Sequence, residues 1–217
     1  AEGLPGLAAL PPQTWPAARL SLAITLLAAA LALALGLALA ARIDAARARG
    51  GGRWLEGFGL IALAASPFVV GTGLFILLRP VADPFALALP VTAAVNAAMA
   101  LPFVLRALLP ALAEARLADG RLADSLGMAG LARFRLVTWP RLRRPFGFAA
   151  GLAAALSMGD LGVIALFAPP EVATLPLLMQ RLMAAYRAEA AGGVALVLVG
   201  LAFALFLACD RWGRGRA

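Results

Sequence analysis

Long segments without charged residues dominate the pattern of this sequence. Four of them cover residues 20–41, 57–78, 84–105 and 190–209, and a fifth, 145–170, is interrupted only by Asp160. At about 1.5 Å per helical residue, each can cross the roughly 30 Å hydrocarbon core of a bilayer. A backbone in lipid must satisfy its own hydrogen bonds, and these segments are longer than barrel strands. The pattern therefore predicts an all-α polytopic membrane protein with five transmembrane helices.

Proline positions predict where these elements are irregular. Residues 1–18 contain four prolines and are predicted to be a lead-in or linker, which leaves 19–217 as one transmembrane domain. Pro67 falls inside the second segment, and Pro90 and Pro102 fall inside the third. Because proline removes an internal hydrogen bond, kinks are predicted in both helices.

The segment 171–189 is neither a span nor a simple loop. Its apolar residues recur at the spacing of one helix face, which predicts an amphipathic helix. Such a helix fits at the outer membrane surface or in the outer mouth of a transport pathway. An ordinary interfacial connector is the alternative. The residues of the apolar stripe are Leu175, Leu178, Met179, Leu182, Met183 and Tyr186.

The composition agrees with a membrane protein and narrows the possible functions. Hydrophobic residues make up 63% of the chain, and the nineteen basic residues are all arginine, which gives a net charge of +8. There is no histidine and one cysteine, Cys209, so no intrachain disulfide can form and no metal site is predicted. The sequence begins with Ala1 rather than Met, and we expect it to be a piece of a longer protein.

The arginines favour one side of the predicted membrane. Fifteen of the nineteen fall in 42–56, in 106–144 and in the C-terminal tail, whereas four fall on the connections of the other side. The positive-inside rule places the fifteen in the cytoplasm, so the N-terminus is predicted outside and the C-terminus inside. A nucleic-acid-binding surface would not need this ordered partition, and no nucleic-acid partner is expected.

A polar, arginine-rich loop, 106–146, is predicted between the third and fourth spans. Part of it can form one or two helical turns, and Gly127 and Gly130 permit a turn or a close approach. Pro140 and Pro145 are expected to fix the return of the chain. A short rigid element of this kind suits docking to a soluble partner. The alternative is a solvated loop whose arginines bind anionic lipid headgroups.

This loop resembles the cytoplasmic coupling loop of type I ABC importer permeases, in which Glu-Ala-Ala, Gly and Pro recur at fixed offsets. Aligned on Gly127, the chain has Ala123 at the second alanine and Val-Thr-Trp-Pro, ending at Pro140, where the family has Val-Thr-Leu-Pro. Arg121 stands at the glutamate position, which departs from the family pattern. The resemblance assigns the contact with the ATPase to Arg121, Ala123, Asp124, Gly127, Phe134 and Pro140.

The resemblance implies a half-transporter in the inner membrane of a bacterium, together with several partners. These are a second permease half, ABC ATPase subunits, an extracytoplasmic substrate-binding protein and membrane lipid. The sequence contains no phosphate-binding loop, so ATP is expected to be used by the partner ATPase. The chain itself is predicted to be no enzyme and to bind no cofactor.

A narrower resemblance extends from about residue 14 to the end of the chain. The stretch Ser157–Phe167, followed by Thr-Leu-Pro at 174–176, is similar to the C-terminal half of fused thiamine and thiamine pyrophosphate importer permeases. It implies inward transport of thiamine or its phosphates, with the N-terminal half of the same full-length chain as the second permease half. The alternatives are a permease half for another solute, such as ferric iron, and a membrane interaction subunit without its own path.

Polar residues within the predicted spans are candidates for the substrate pathway. An acid at bilayer depth costs about 2.5–3.5 kcal/mol on insertion scales, so Asp160 should have a partner or a function. Because thiamine is cationic, Asp160 could face the pathway; alternatively, it bonds to backbone or to an arginine where Ser157–Asp160 bends the helix. Asn96 is a weaker candidate, with interhelical hydrogen bonding as its alternative. The pathway candidates are Asn96, Ser157 and Asp160.

Small residues recur at every fourth position of the fourth predicted span. This spacing places them on one helix face and lets a neighbouring backbone approach closely. We therefore predict tight helix packing along the face formed by Gly147, Gly151, Ala155 and Gly159.

Overall fold

The computed structural model describes residues 10–51, 54, 57, 66–81, 83, 85–167 and 172–215, and every regular element in these ranges is helical. The predicted all-α class is therefore confirmed. A π-helical segment, Phe134–Thr138, joins the fourth helix to the fifth. In chain order the helices are α1 (Thr14–Arg47), α2 (Pro67–Leu78), α3 (Ala88–Ser125), α4 (Gly130–Arg133), α5 (Trp139–Met158), α6 (Ile164–Phe167), α7 (Leu175–Ala184) and α8 (Ala188–Arg214).

Three described helices are long and apolar enough to cross a membrane: α1, the 88–120 part of α3, and α8. α2 is a shorter apolar helix of 12 residues, and residues 58–65 of the second predicted span lie outside the described residues. α5 is 20 residues long, but its first turns carry three arginines. The chain is a polytopic helical membrane protein, and the number of five spans stays a prediction.

The predicted linker, 1–18, is wrong at its C-terminal end. α1 begins at Thr14, and Ala17 and Ala18 are buried against α7 and α8. Pro16 lies in the first turn of α1, where a backbone N–H has no helical acceptor, so a proline there costs little. Residues 1–9 lie outside the described residues.

The prediction that Pro67 kinks a continuous second helix is wrong. Ser66 is extended, with φ −79° and ψ 131°, and α2 begins at Pro67. The residue before a proline is biased away from helical backbone, which explains this start. Pro90 likewise lies in the first turn of α3, whereas Pro102 and Pro110 lie inside that helix.

The third helix continues far beyond the third predicted span. α3 has 38 residues, a length of about 57 Å at 1.5 Å per residue. The prediction of a loop over 106–146 is therefore wrong: 106–125 extends α3, and most of the remainder forms α4, the π segment and the start of α5. The physical reason is composition, since 106–125 is rich in the strong helix formers Ala and Leu.

Pro140 and Pro145 do not form an irregular return. Residues 130–158 are one helical stretch, with Pro140 at the start of α5 and Pro145 inside it. The Trp139 N–H donates to the Phe134 carbonyl, five residues back, which is the π-helical spacing. Because proline has no N–H to donate, the wider π turn lies directly before Pro140.

The fourth predicted span, 145–170, is not one helix. α5 ends at Met158, a non-helical turn covers 159–163, and α6 follows. Glycine is a poor helix former, and Asp160 Oδ1 accepts a hydrogen bond from Gly162 N at 3.3 Å, which favours a turn. Residues 168–170 lie outside the described residues.

The main apolar core lies between α1, α3 and α5, and α8 packs along α5. The predicted amphipathic helix is present as α7, which packs against α1 and α8. Met183 and Tyr186, two residues of its predicted apolar stripe, are exposed instead, because α7 ends at Ala184 and Tyr186 turns away with φ 57°. The buried stripe residues are Leu175, Leu178 and Leu182.

Candidate substrate pathway and coupling segment

The three predicted pathway residues meet where α3, α5 and the 159–163 turn converge. In the amide orientation that satisfies both side-chain atoms, Asn96 Oδ1 accepts a hydrogen bond from Ser157 Oγ at 3.0 Å. Asn96 Nδ2 then donates to Asp160 Oδ2 at 3.0 Å. Asn96 and Ser157 are buried, with 5% and 7% exposure. The structure thus brings together residues 61 positions apart, and their role in transport stays a prediction.

Asp160 receives hydrogen bonds from neutral groups. Its Oδ1 atom accepts from Gly162 N at 3.3 Å, and its Oδ2 atom accepts from the Asn96 amide. Among the described residues, no arginine forms an ion pair with Asp160. Of the two structural partners predicted for this carboxylate, the backbone is present, and none of the described arginines is paired with it. Binding of a ligand by its charge stays a prediction.

Two cavities border this polar cluster. One, of about 390 Å³, is lined by the cluster together with the apolar side chains of Met99, Phe103 and Leu156. The other has room for only about 10 Å³ and lies among hydroxyl-bearing side chains of α1, α3 and the start of α7. The larger cavity falls in the roughly 300–1,000 Å³ range of small-molecule sites. With apolar walls and one carboxylate, it suits a small organic cation.

Sequence reasoning missed two hydroxyl-bearing residues beside this cluster, Ser21 and Thr92. Ser21 Oγ accepts a hydrogen bond from Leu175 N at 2.9 Å, which joins α1 to α7. Thr92 Oγ1 donates to the Ala88 carbonyl at 2.7 Å. A serine or threonine within a predicted span is the one signal that could have found them, and it does not reveal which helices meet.

Two glycines of the small-residue face of α5 pack directly against α8. A Cβ atom at Gly147 would lie 2.5 Å from Gly213 Cα and 2.7 Å from the Cys209 carbonyl oxygen. A Cβ atom at Gly151 would lie 2.9 Å from Phe206 Cδ2. Both positions therefore admit only glycine without a shift of α8. The matching glycine of α8, Gly213, was missed because its spacing follows no pattern in its own helix.

The rest of that face does not pack in the same way. Ala155 is half-buried and lines the 390 Å³ cavity. Gly159 is exposed, and a Cβ atom there would meet no atom nearer than the Ala155 carbonyl oxygen, at 3.9 Å. The predicted packing face thus ends before Gly159, because α5 itself ends at Met158.

α3 turns into α4 through two glycines with left-handed backbone. Gly127 has φ 65°, and Met128 N donates to the Ala123 carbonyl at 2.9 Å. This is a common way for a helix to end at a glycine. Gly130, with φ 56°, then begins α4. α3 and the 130–158 helical stretch therefore form a helical hairpin, which we call the coupling hairpin, with its tip at 126–129.

The coupling hairpin exposes an apolar surface beside its charged residues. Four leucines around the tip are between 62% and 71% exposed, whereas Ala123 is buried at 2%. Exposed apolar residues that cluster in this way mark interaction surfaces. These residues are Leu122, Leu126, Leu131 and Leu136.

The residues that the resemblance assigned to the ATPase contact lie in different settings. Asp124, Gly127 and Pro140 are exposed. Phe134 is half-buried and lines a cavity of about 640 Å³ between α1, α3 and the π segment. The side chain of Arg121 lies outside the described residues, so its contact at the motif position stays a prediction.

Ion pairs tie the far end of α3 to its neighbours. Arg133 Nη1 donates to Asp124 Oδ1 at 2.6 Å, which closes the hairpin near its tip. Arg116 Nε lies 3.2 Å from both carboxylate oxygens of Asp44, which joins α3 to α1. The arginine-rich ends of α1 and α3 therefore lie together.

An aromatic cluster, which sequence reasoning did not predict, joins α5 to the end of α8. The ring of Trp139 lies 6.0 Å from that of Phe134, 5.5 Å from that of Phe146 and 6.3 Å from that of Trp212. The Arg143 guanidinium lies 5.8 Å from the centre of the Trp212 ring, a cation–π contact. The C-terminal arginines thus lie at the same end of the molecule as the tip of the coupling hairpin.

Comparison of the sequence with known proteins identifies relatives of this chain. No protein-family model matches the chain. It is 45% identical over 203 residues to the thiamine transport system permease protein ThiP of Brucella abortus (strain 2308), a match that covers 93% of this chain and 37% of the relative. The chain is a homologue of part of this permease protein. The resemblance to thiamine permeases carried by Ser157–Phe167 is confirmed.

Two further relatives give the range of the similarity. The permease homologue is 33% identical over 160 residues to ThiP of Escherichia coli (strain K12), covering 74% of this chain and 30% of the relative. It is 33% identical over 105 residues to the sulfate transport system permease protein CysW of Synechocystis sp. (strain ATCC 27184 / PCC 6803 / Kazusa), covering 47% and 38%. The chain thus spans less than two fifths of each of these relatives.

Proposed function

We propose that the chain is the permease half of an ATP-driven importer that moves thiamine or its phosphates inward across a bacterial inner membrane. The observation that carries this proposal is the 45% identity to a thiamine transport permease over 93% of the chain. The Asp160 site supports the unphosphorylated form of this substrate, because thiamine itself carries a permanent positive charge. A carboxylate with neutral donors beside a 390 Å³ cavity suits such a ligand.

The ATPase partner is proposed to dock on the coupling hairpin. The exposed leucines near its tip would supply apolar contact with the ATPase. The tip also contains two glycines, Gly127 and Gly130, which have no Cβ atoms to keep a partner away from the backbone. Nothing lies within 4 Å of where these Cβ atoms would be, which leaves space for a partner. ATP would be bound and used by the partner, and the chain would act only in translocation.

The length of the relatives bears on the second permease half, and the distribution of arginine bears on the orientation of the chain in the membrane. The second permease half is proposed to be the rest of the same full-length chain, and a substrate-binding protein would deliver thiamine from outside. The N-terminus is proposed outside and the C-terminus in the cytoplasm. The ion pairs and the aromatic cluster support this, since they gather the arginine-rich ends of α1, α3, α5 and α8. The Asp160 site would then lie towards the entry side.

The test is uptake of labelled thiamine by cells that lack their own thiamine transport and receive the full-length permease, its ATPase and its binding protein. We expect uptake that stops when ATP is depleted. Uptake of ferric iron in place of thiamine would change the substrate and leave the permease function. Binding of the ATPase with no uptake of any solute would favour an interaction subunit without its own path.

The relative named for sulfate suggests a second substrate class, an oxyanion. The site does not favour it, because the described lining of the 390 Å³ cavity includes Asp160 and no arginine. Excess sulfate should therefore leave thiamine uptake unchanged in the same cells. Competition by sulfate would mean that the path accepts anions.

A further inference from the structure

One arginine at the start of α5 is bound to two acids of α3. Arg141 Nε donates to Asp119 Oδ2 at 2.7 Å, and Arg141 Nη1 lies 3.7 Å from Glu114 Oε1. The hydrogen bond and the charge of Asp119 raise the pKa of the Arg141 guanidinium above its ordinary value. This contact joins the two arms of the coupling hairpin below its tip.

The contact contributes little to stability by itself. The side chains of Arg141 and Asp119 are 38% and 35% exposed, and that of Glu114 is 73% exposed. Solvent screens ion pairs at such positions, so they add little to the stability of the fold. The two arms are also held by apolar packing, in which Leu108 and Leu142 are fully buried. What the contact can contribute is therefore the geometry that it fixes between the two arms.

Its position suggests what that geometry is for. Four ion pairs leave the last turns of α3 and reach three different elements. Asp124 binds Arg133 of α4, and Arg116 binds Asp44 of α1. Asp119 lies between them along α3 and binds α5. The hairpin tip is thus connected through α3 to three other helices, and the connection to α5 runs through Arg141.

We propose that Arg141, held by Asp119 and Glu114, is a positioning residue that makes α3 and α5 move as one unit when the ATPase moves the hairpin tip. The inference rests on the proposed coupling function of the hairpin. α3 carries Asn96 and α5 carries Ser157, which hydrogen-bond to each other at the Asp160 site. If α3 and α5 moved separately at the tip, Asn96 and Ser157 would be displaced by different amounts. ATP hydrolysis would then be uncoupled from transport.

The test uses a charge exchange in the full-length permease, assembled with its ATPase and binding protein in proteoliposomes. Arg141→Asp and Asp119→Arg should each reduce thiamine uptake by about fivefold or more, within the usual range of coupling between sites. ATPase binding should remain, so that more ATP is hydrolysed per thiamine transported. The double variant Arg141→Asp/Asp119→Arg restores the pair with opposite signs and should recover most of the uptake. A merely structural role would not change the ratio of ATP to thiamine.

Arg49→Asp is the matched control, because it makes the same charge change at an arginine just beyond α1, whose Nε donates to the Ala45 carbonyl at 3.2 Å. It should transport like the wild type. Normal coupling in both single variants, or no recovery in the double variant, would overturn the inference and leave the proposed function standing. Loss of ATPase binding in Arg141→Asp would also overturn it, since Arg141 would then be a docking contact. A wild-type complex that carries no thiamine would overturn both proposals.

Discussion

Asp160 combines two properties that rarely occur together in a membrane protein. It lies inside the predicted span 145–170, just after the end of α5, and the described residues around it offer only neutral donors, Gly162 N and the Asn96 amide. A charged group in such a place is costly unless something compensates it. The 390 Å³ cavity beside it provides space for a cation to do so. We therefore expect the carboxylate to act on a cationic ligand, and the following variant tests this.

Asp160→Asn keeps the shape of the side chain and removes its charge. Because no arginine of the described structure would be left unpaired, the variant should fold and bind its ATPase. Thiamine uptake should fall by about tenfold or more, which corresponds to about 1.4 kcal/mol of lost attraction. Asp83→Asn, at an exposed acid in a turn, is the control and should transport normally. Loss of folded protein in Asp160→Asn would instead indicate a hidden structural partner.

The contact between α5 and α8 depends on the absence of a Cβ atom at Gly147. Gly147→Ala would place a Cβ atom 2.5 Å from Gly213 Cα, and backbone rather than a flexible side chain would have to move. We expect a loss of stability on the order of 1–3 kcal/mol, as for other overpacked sites. Thermal unfolding of the purified complex measures it. Gly159→Ala, whose Cβ would meet its nearest atom at an ordinary contact distance of 3.9 Å, should leave the melting temperature unchanged. Equal losses would refute the packing argument.

Among the helices, the coupling hairpin is the element that the sequence describes only in part. Its two glycines predicted a turn or a close approach, and the structure has left-handed backbone at Gly127 and Gly130. The motif did not predict that regular helices lead into and out of this turn. Charge marks where a chain leaves the membrane, but a helix ends where glycine, proline or a cap ends it. Residues 106–125 contain no such stop that is strong enough, so α3 continues to Ser125.

Gly127→Trp tests the hairpin as a docking element. No atom lies within 4 Å of a Cβ at this position, so the ring would project into open space and block a partner. The left-handed backbone would cost about 1–3 kcal/mol, which the fold should survive. Binding of the ATPase, or its stimulation by substrate, should be lost. Gly50→Trp, which also has positive φ and open space, is the matched control and should behave as the wild type.

For the whole molecule, the two ends of the helical body differ in chemistry. One end holds the arginine pairs, the aromatic cluster and the hairpin tip, and the other holds the Asp160 site and α7. Such a division agrees with a protein that receives substrate on one side of a membrane and force on the other. It also makes the orientation directly testable.

Single cysteines placed at exposed positions of a permease lacking Cys209 report that orientation. We expect an impermeant thiol reagent to label Tyr186→Cys in intact cells, since Tyr186 is 97% exposed. Gly50→Cys, Ser125→Cys and Arg214→Cys, at positions also exposed, should react only after the cells are opened. Labelling of position 125 from outside would show that the orientation is the reverse of the one proposed. The hairpin tip would then lie on the side of the membrane where no ATPase can bind it.

The sequence predicted the fold where one property dominates a long stretch. α1, α3 and α8 follow from charge-free runs, and α7 follows from its apolar stripe. The sequence did not predict contacts between segments that are distant along the chain. Asn96 and Ser157 were each suspected because a polar residue in lipid is costly, yet nothing in their local sequence shows that they touch. Gly213 was missed for the same reason, since its importance depends on Gly147 in another helix.

The length of α3 has a consequence that no single side chain carries. Asn96 and Arg116 lie on the same uninterrupted helix, 20 residues apart, which is about 30 Å along its axis and about 200° around it. Substitutions between them can be absorbed locally, but one inserted residue would advance every later position by about 1.5 Å and rotate it by about 100°. The substrate site and the ion pairs would each remain intact, yet they would no longer be in phase. The count of residues between them is therefore a property of the transporter in its own right.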